Sequence, residues 1–362
     1  RQRMRIDEEA EHDFPHLPPG CNIYIQPVAR RQILQHIRQT LQDIQRFTLE
    51  SLATMSAQRG RTPSFEEFIH ETQVDPIELL RKDTWSAWKA RAGLQPPTKD
   101  PDQSDLHKAM VRLATRNSPT LLENVRREAQ FALGESATVY QPPKPAEAIM
   151  LHYLLRNRPA LARSEPEKTL HLLQNNPNMA RDIDEIAAWR QHVSDIVPFR
   201  PELPFDCPLD LHAAYGYEEI KAALGVATME TAGPTGTGVI HAKHLRAYLH
   251  FVTFNKSEKD FSTTNRYQDY LLNRTQLHWE SMSTTTQESA TGQNYIHFAE
   301  RGYTILFFAR LNKKDGRIIC PFIYLGPASA LLRYEGNRPI RMIWELKHPV
   351  PAEMYELNGR GG

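Results

Sequence analysis

Apolar positions recur at spacings of three and four along the first half of the chain, and at alternate positions along short runs of the second. Ile33, Leu34, Ile37, Leu41 and Ile44 form a helical stripe that continues to Phe47 and Leu49. Further helices are predicted over Trp85 to Ala92, Asp105 to Ala114, Ala146 to Leu155 and Asp182 to His192. Ser64 stands three residues before Glu67, the spacing at which a hydroxyl and a carboxylate cap each other's amides at a helix start. Breakers divide these stretches: Gln95-Pro96-Pro97, Asn117-Ser118-Pro119, Gln141 to Pro145, and Asn175-Asn176-Pro177.

The pattern changes near Val197. Four prolines between Val197 and Pro208 remove amide donors and disfavour helix before each of them, so a boundary is placed there. After one more helix, Tyr217 to Leu224, and a Gly-rich loop, the runs become strand-like: Tyr248 to Phe254, Gln276 to Ser281, Tyr303 to Ala309, Ile318 to Leu325 and Ile340 to Lys347. In the last run Ile340, Met342, Trp344 and Leu346 share one face, with Arg341, Glu345 and Lys347 on the other. Turn signals at Lys314-Asp315-Gly316 and Glu335-Gly336-Asn337 separate neighbouring strands. The expected class is α+β. A bundle of short helices over 1–196 precedes a β-rich, partly open barrel-like domain over 197–362.

Composition narrows the function classes. The 362 residues carry 44 Lys plus Arg against 43 Asp plus Glu, so any basic surface is local. No apolar run approaches the ~20 residues that span a bilayer, and no membrane partner is expected. The three cysteines, Cys21, Cys207 and Cys320, stand far apart, which argues against a disulfide scaffold or a CxxC zinc ribbon and fits a reducing cytoplasm. The chain starts at Arg1 rather than Met, so it is expected to be a piece of a longer polypeptide.

Familiar catalytic patterns fail on inspection. The stretch GPTGTG at 233–238 has the look of a phosphate loop, but Val239 and Ile240 follow it where Lys and Ser/Thr are needed, so a connector is expected. His241 and His244 could share a helical turn, with His250, His212 and Cys207 nearby in sequence, yet no third ligand is evident and surface or core histidines are expected. There is no G-x-S-x-G elbow, and no cysteine has a local His partner. Neither catalysis nor a bound cofactor or metal is expected of this chain.

Two regions suggest contact with nucleic acid. Residues 59–94 read as helix, turn, short helix, turn and a helix with Trp85 and Trp88, a helix-turn-helix-like unit carrying Arg81, Lys82, Lys89 and Arg91. Such cations could lie along a duplex and displace its counterions; equally, the tryptophans could form a small core with the bases as its rim. Two strands are followed by long runs of Ser, Thr, Asn and Gln, over 253–270 and 277–295. Lys256, Lys259, Arg266 and Arg274 supply charge there, and His278, Trp279 and Tyr295 could stack on an extruded base. The alternative is an ordered loop whose polar side chains cap the backbone, with Trp279 in the core.

Within these runs, NKSEKDFS (255–262), YQDY (267–270) and the stretch from Leu277 through Glu288 to Tyr295 resemble a C-terminal domain found on many bacterial superfamily II, DEAD/DEAH-box-type helicases. Phe322 to Pro327 and Trp344 to Pro351 are similar to its closing strands. Upstream, Asp13 to Cys21 resembles the exit from the second motor domain, and Phe65 to Leu94 the helical connector that follows. The resemblance implies a DNA-engaging accessory module of a DNA helicase or translocase, with ATP and Mg belonging to a motor upstream of Arg1. It also implies frequent fusion to a phospholipase-D-like nuclease, and hence restriction or phage defence. The alternative use is a protein-interaction module that recruits a nuclease or drives self-association.

Overall fold

The computed structural model describes residues 44–136, 139–160, 168–255 and 269–358. Lys256, Lys259 and Arg266, together with the stripe from Ile33 to Leu41 and the motif at Asp13 to Cys21, lie outside the described residues. The architecture is α+β: a helical region, then a mixed sheet of 8 strands that does not close into a barrel. Among the described residues, 44–73 with 85–98 form one compact unit, and 74–84 with 99–358 form another.

In the first unit, residues 44–59 are helical (α1), followed by α2 (Phe65–Thr72). The expected cap is present: the Ser64 side chain accepts from the Glu67 amide, and the Glu67 carboxylate accepts from the Ser64 amide at 2.8 Å. The Arg61 guanidinium also binds Glu67 and holds its carboxyl down to about 2. Helix α3 (Pro76–Lys82) belongs to the second unit, and α4 (Trp85–Arg91) to the first. The α4 tryptophan Trp85 meets Phe65 edge-on at 5.4 Å and Phe68 at 5.3 Å, and both tryptophans are buried.

The second unit continues with α5 (Gln103–Leu113), α6 (Pro119–Ala132), α7 (Pro145–Arg156), α8 (Lys168–Gln174) and α9 (Pro177–Val193). The breakers at 117–119, 141–145 and 175–177 therefore act as starts. Pro119, Pro145 and Pro177 are each the first helical residue, where the missing amide costs nothing and the fixed φ suits the helix. Arg112 seals the far end of α7 by donating to the Leu154 and Leu155 carbonyls at 2.8 and 2.9 Å. Burial holds this guanidinium down to about 10.

The sheet contains β1 (Ala214–Tyr215), β2 (Val239–Ala242), β3 (Ala247–Asn255), β4 (Tyr270–Leu271), β5 (Gln276–Glu280), β6 (Thr304–Asn312), β9 (Phe322–Glu335) and β10 (Arg341–Leu346), in the order β2-β3-β6-β9-β10-β5-β4 with β1 on β9. A separate ribbon pairs β7 (Lys314–Asp315) with β8 (Ile318–Ile319). Helices α10 (Tyr217–Ala223), α11 (Ala290–Ile296) and α12 (Ala352–Asn358) complete the unit. Strands β3 and β6 are parallel; the other pairs are antiparallel. The run expected as one strand from Ile318 to Leu325 splits ahead of Phe322, and β9 then runs on to Glu335. Its first part pairs with β6 and its second with β10, with register shifts that bend the strand, and among the described residues β2 and β4 are the outermost strands.

Candidate functional site

Alternation along the strands decides which of the proposed contact residues reach the surface. On β5, Leu277 and Trp279 point inward, opposite Trp344 and Met342 of β10. On β3, Tyr248, His250 and Val252 face the same interior, with Ile305 and Phe307 beside them on β6. Trp279 is 4% exposed and Tyr295 1% exposed, so neither can stack on a base in this structure. This corrects the expectation for both residues: Trp279 sits on the inward side of an alternating strand and Tyr295 on the inward side of α11, and each ring gains more from burial than from a solvated loop.

Trp279 instead stacks on the His250 imidazole, with ring centroids 4.3 Å apart and planes at 28°. Tyr295 meets that imidazole edge-on at 5.4 Å, Phe307 at 4.9 Å and Trp344 at 6.3 Å. His250 is fully buried, and neither ring nitrogen has a hydrogen-bond partner; the Trp344 indole N–H is also unpartnered. Desolvation pushes the imidazole down to about 3, so it is neutral at any ordinary pH. The second polar run is largely ordered by its own side chains, as the backbone-capping alternative required. Ser289 caps α11 through the Gly292 amide, and Gln287 bonds the turn after β9 through Asn337 and Gly336. Gly292 is required there, because a Cβ at that position would come within 2.0 Å of the Thr286 carbonyl oxygen.

The outer face of the same strands is different. Tyr270 of β4 pairs with His278 of β5, which pairs with Ile343 of β10 and then Arg333 of β9. The Tyr270 and His278 rings stack at 4.5 Å and 13°, both half-buried. Arg274 lies in the β4–β5 turn, exposed, with its Nε donating to the Val350 carbonyl at 2.9 Å. Carboxylates interrupt the positive charge: Arg341 lies 3.5 Å from Glu280 and 3.9 Å from Glu335, and Arg333 2.9 Å from Glu335. Leu332 and Tyr334 are exposed at the end of β9.

The basic residues of the helical connector also separate. Lys89 is buried, its ammonium 5.5 Å above the Trp85 ring, because positions four apart share a helix face. That corrects its assignment to a duplex-facing surface. Arg91 is exposed and lies over Trp88 at 4.6 Å. Arg81 bonds Glu78 at 2.7 Å, and Lys82 is exposed.

The histidines grouped by sequence disperse as well. His241 stacks on Tyr248, a ring nitrogen of His244 meets the Leu224 carbonyl, and His250 lies in the aromatic core. Among the described residues no group of three or more His, Cys, Asp or Glu side chains could hold a metal ion. The GPTGTG loop is pinned from within by the buried Lys221, whose ammonium donates to the Ala232 and Pro234 carbonyls and pairs with Glu218 at 2.7 Å.

Sequence reasoning missed the polar lock between the helices and the sheet domain. Arg116 forms a bidentate pair with Glu219 of α10, at 2.8 Å, with side chains only 5% and 3% exposed. The buried Asp210 carboxylate accepts from Ser118 Oγ at 2.6 Å, Thr120 Oγ1 at 2.9 Å and the Thr120 amide at 3.1 Å, capping α6 from about ninety positions along the chain. The Asn117 side chain accepts from the Ala214 amide at 2.7 Å, and Tyr153 donates to the Thr228 carbonyl at 2.8 Å. No local pattern marks such partners, since each pair spans the proline-rich segment.

No helix among the described residues is long and apolar enough to cross a membrane. No curated protein matches the chain. Residues 209–357 match the model of a domain of unknown function, DUF3427, which takes in the sheet, the aromatic core and the Tyr270–His278 stack.

Proposed function

We propose that this chain is a DNA-engaging accessory module of a superfamily II helicase or translocase, with the ATP-hydrolysing motor in a preceding part of the polypeptide. The observation that carries the reading is the stacked Tyr270–His278 pair on the outer face of β4 and β5, two strands joined by a turn that carries the exposed Arg274. Flat rings on a sheet face can act as a platform on which bases stack, and a guanidinium from the adjoining turn can supply a phosphate contact. The helicase context rests on the resemblance of the motifs at 255–295 and 322–351. The polar lock supports a mechanical role: Arg116–Glu219 and the Asp210 network tie helices and sheet into one body, so a force felt at the sheet reaches the helices. ATP hydrolysis, magnesium binding and any nuclease step are assigned to other parts of the parent protein, whose setting is restriction or phage defence in the cytoplasm.

Mobility shifts of the chain with single-stranded and duplex DNA over a salt series test this. The expected result is retention at low salt that weakens steeply as salt rises. Absence of retention on every form of DNA at low salt would overturn the reading.

One observation favours a second use, as a protein-docking module that recruits a nuclease or a second copy. The outer face carries Arg333 and Arg341 neutralised by Glu335 and Glu280, and the exposed Leu332 and Tyr334 flank Arg333 along β9, which together give charged and apolar groups for a protein partner. That use predicts an assembly whose mass persists at high salt.

A further inference from the structure

The parallel strands β3 and β6 end side by side at Asn255 and Asn312, whose side chains bond at 3.1 Å. Immediately beyond Asn312 the chain makes the β7–β8 ribbon, a two-stranded sheet separate from the main one. Gly316 sits at the first central turn position with φ of 57°, the left-handed conformation that this turn reserves for glycine. Lys314 pairs across the ribbon with Ile319, and Asp315 with Ile318. Lys314, Arg317 and Ile319 are exposed, Ile319 at 68%. Lys313 stands half-buried at the base, so the stretch from 313 to 317 carries three cations and one carboxylate, Asp315.

A ribbon this short holds its shape poorly by itself, and its root is correspondingly well tied. Arg310 donates from Nε to Thr253 Oγ1 at 3.0 Å and from Nη1 to the Cys320 carbonyl at 3.1 Å, while its guanidinium lies 4.1 Å over the Phe322 ring. The Cys320 amide donates to the Lys313 carbonyl at 3.1 Å. The molecule thus fixes the base of a narrow projection whose tip gathers like charges and an exposed isoleucine. Neither feature serves the isolated fold: with Asp315 counted the exposed tip stays net positive, and Ile319 remains in water. Each becomes favourable against a polyanion with apolar edges.

We infer that the β7–β8 ribbon is a nucleic-acid-contacting wing. Lys314 and Arg317 bind backbone phosphates, and Ile319 packs against sugar or base edges. A two-stranded ribbon is narrow enough to follow a groove of a duplex. The inference deepens the DNA-engaging reading and rests on it, adding contact residues on a part of the sheet domain remote in sequence from Tyr270 and His278.

The test is fluorescence anisotropy of the full chain with labelled duplex and single-stranded DNA over a salt series. The wild type is compared with Lys314→Glu/Arg317→Glu, with the neutral pair Lys314→Gln/Arg317→Gln, and with a control of equal charge change on exposed helix-region lysines, Lys108→Glu/Lys144→Glu. Because the ribbon is separate from the main sheet, the thermal midpoint of the ribbon variants should match the wild type. The neutral pair should lower affinity about tenfold at low salt, and reduce the slope of log Kd against log salt by about two on duplex, one for each phosphate that is no longer neutralised. Charge reversal should weaken binding further, and the helix-region control should leave the slope unchanged. The wing is overturned if wild-type binding is strong and the ribbon variants keep its slope and affinity, or if the control weakens binding as much. Failure of the wild type to bind any DNA overturns the DNA-engaging reading itself, a distinct outcome.

Discussion

The junction between helices and sheet and the aromatic interior of the sheet domain both bury polar side chains, yet they treat them in opposite ways. At the junction the buried ions are answered, Arg116 by both Glu219 oxygens and Asp210 by two hydroxyls and an amide, and under the GPTGTG loop Lys221 is answered by two carbonyls and a carboxylate. In the interior, His250 and the Trp344 indole have rings for neighbours and no hydrogen-bond partner at all. A charge cannot enter a dry site without partners, whereas a neutral imidazole can, at a moderate cost offset by its flat stacked contacts. The junction polar groups therefore specify geometry, and His250 serves as an aromatic ring.

The largest effect that separates the two regions comes from removing one junction partner. Glu219→Ala leaves the Arg116 guanidinium buried and unanswered, and should cost about 3–5 kcal/mol in chemical denaturation. A change below ~1 kcal/mol would mean that the lock is not what joins helices to sheet.

A smaller effect sets the buried rings against the half-buried outer pair. Trp279→Phe should lower stability by about 1–2 kcal/mol and leave the DNA affinity of the folded protein unchanged. Tyr270→Ala should do the reverse, weakening DNA binding by about 1–2 kcal/mol with little change in melting. Equal weakening of binding by both would return Trp279 to the interface.

His250→Phe should change stability at neutral pH by less than ~1 kcal/mol, in the stabilising direction where the larger ring fits, because two unpartnered nitrogens leave the core. Its clearest effect is on the acid side. The folded imidazole is held at about 3, below the ~6.5 of an unfolded histidine, so between these values the unfolded chain binds a proton that the folded chain does not. Stability is thus fully present above ~6.5 and declines as pH falls toward 3. The variant should flatten that decline by about one proton, leaving the shares of His152, His241 and His348, which burial also lowers, and of His212, which burial and the nearby His348 and Arg274 hold at about 4. An unchanged acid slope would show that His250 is solvated.

The smallest effect belongs to the outer face. Glu335→Gln removes a partner from Arg333 and Arg341, all three side chains at least half exposed, and should shift stability by under ~0.5 kcal/mol. If DNA contacts this face, the same change should tighten binding, and unaltered DNA affinity would favour the protein-docking use.

Much of the secondary structure was legible because its causes are local. The Ser64–Glu67 cap, the helix from Tyr217 and the inward row of Ile340, Met342, Trp344 and Leu346 follow from spacing alone. Less legible were elements whose signals point two ways. Proline marks a break and a first helical residue with the same letter, which hid α6, and the polar run around α11 reads as loop until its caps find their amides. The candidate contact residues were the least legible. A Ser/Thr-rich neighbourhood brings aromatics and bases together in sequence, but it does not say which face of a strand each occupies.

Period, caps and turn residues act over a few positions, and they were enough to make this an α+β protein without strong global charge and to place most of its helices and strands. Long-range packing was needed to turn Trp279, Tyr295 and Lys89 inward while Tyr270 and His278 stack on the outer face of β4 and β5. Packing also paired Arg116 with Glu219 and Asp210 with Ser118. Those outcomes depend on register between strands and on partners about a hundred positions apart, and a burial that neighbouring residues leave undecided is settled by which distant surface removes the water.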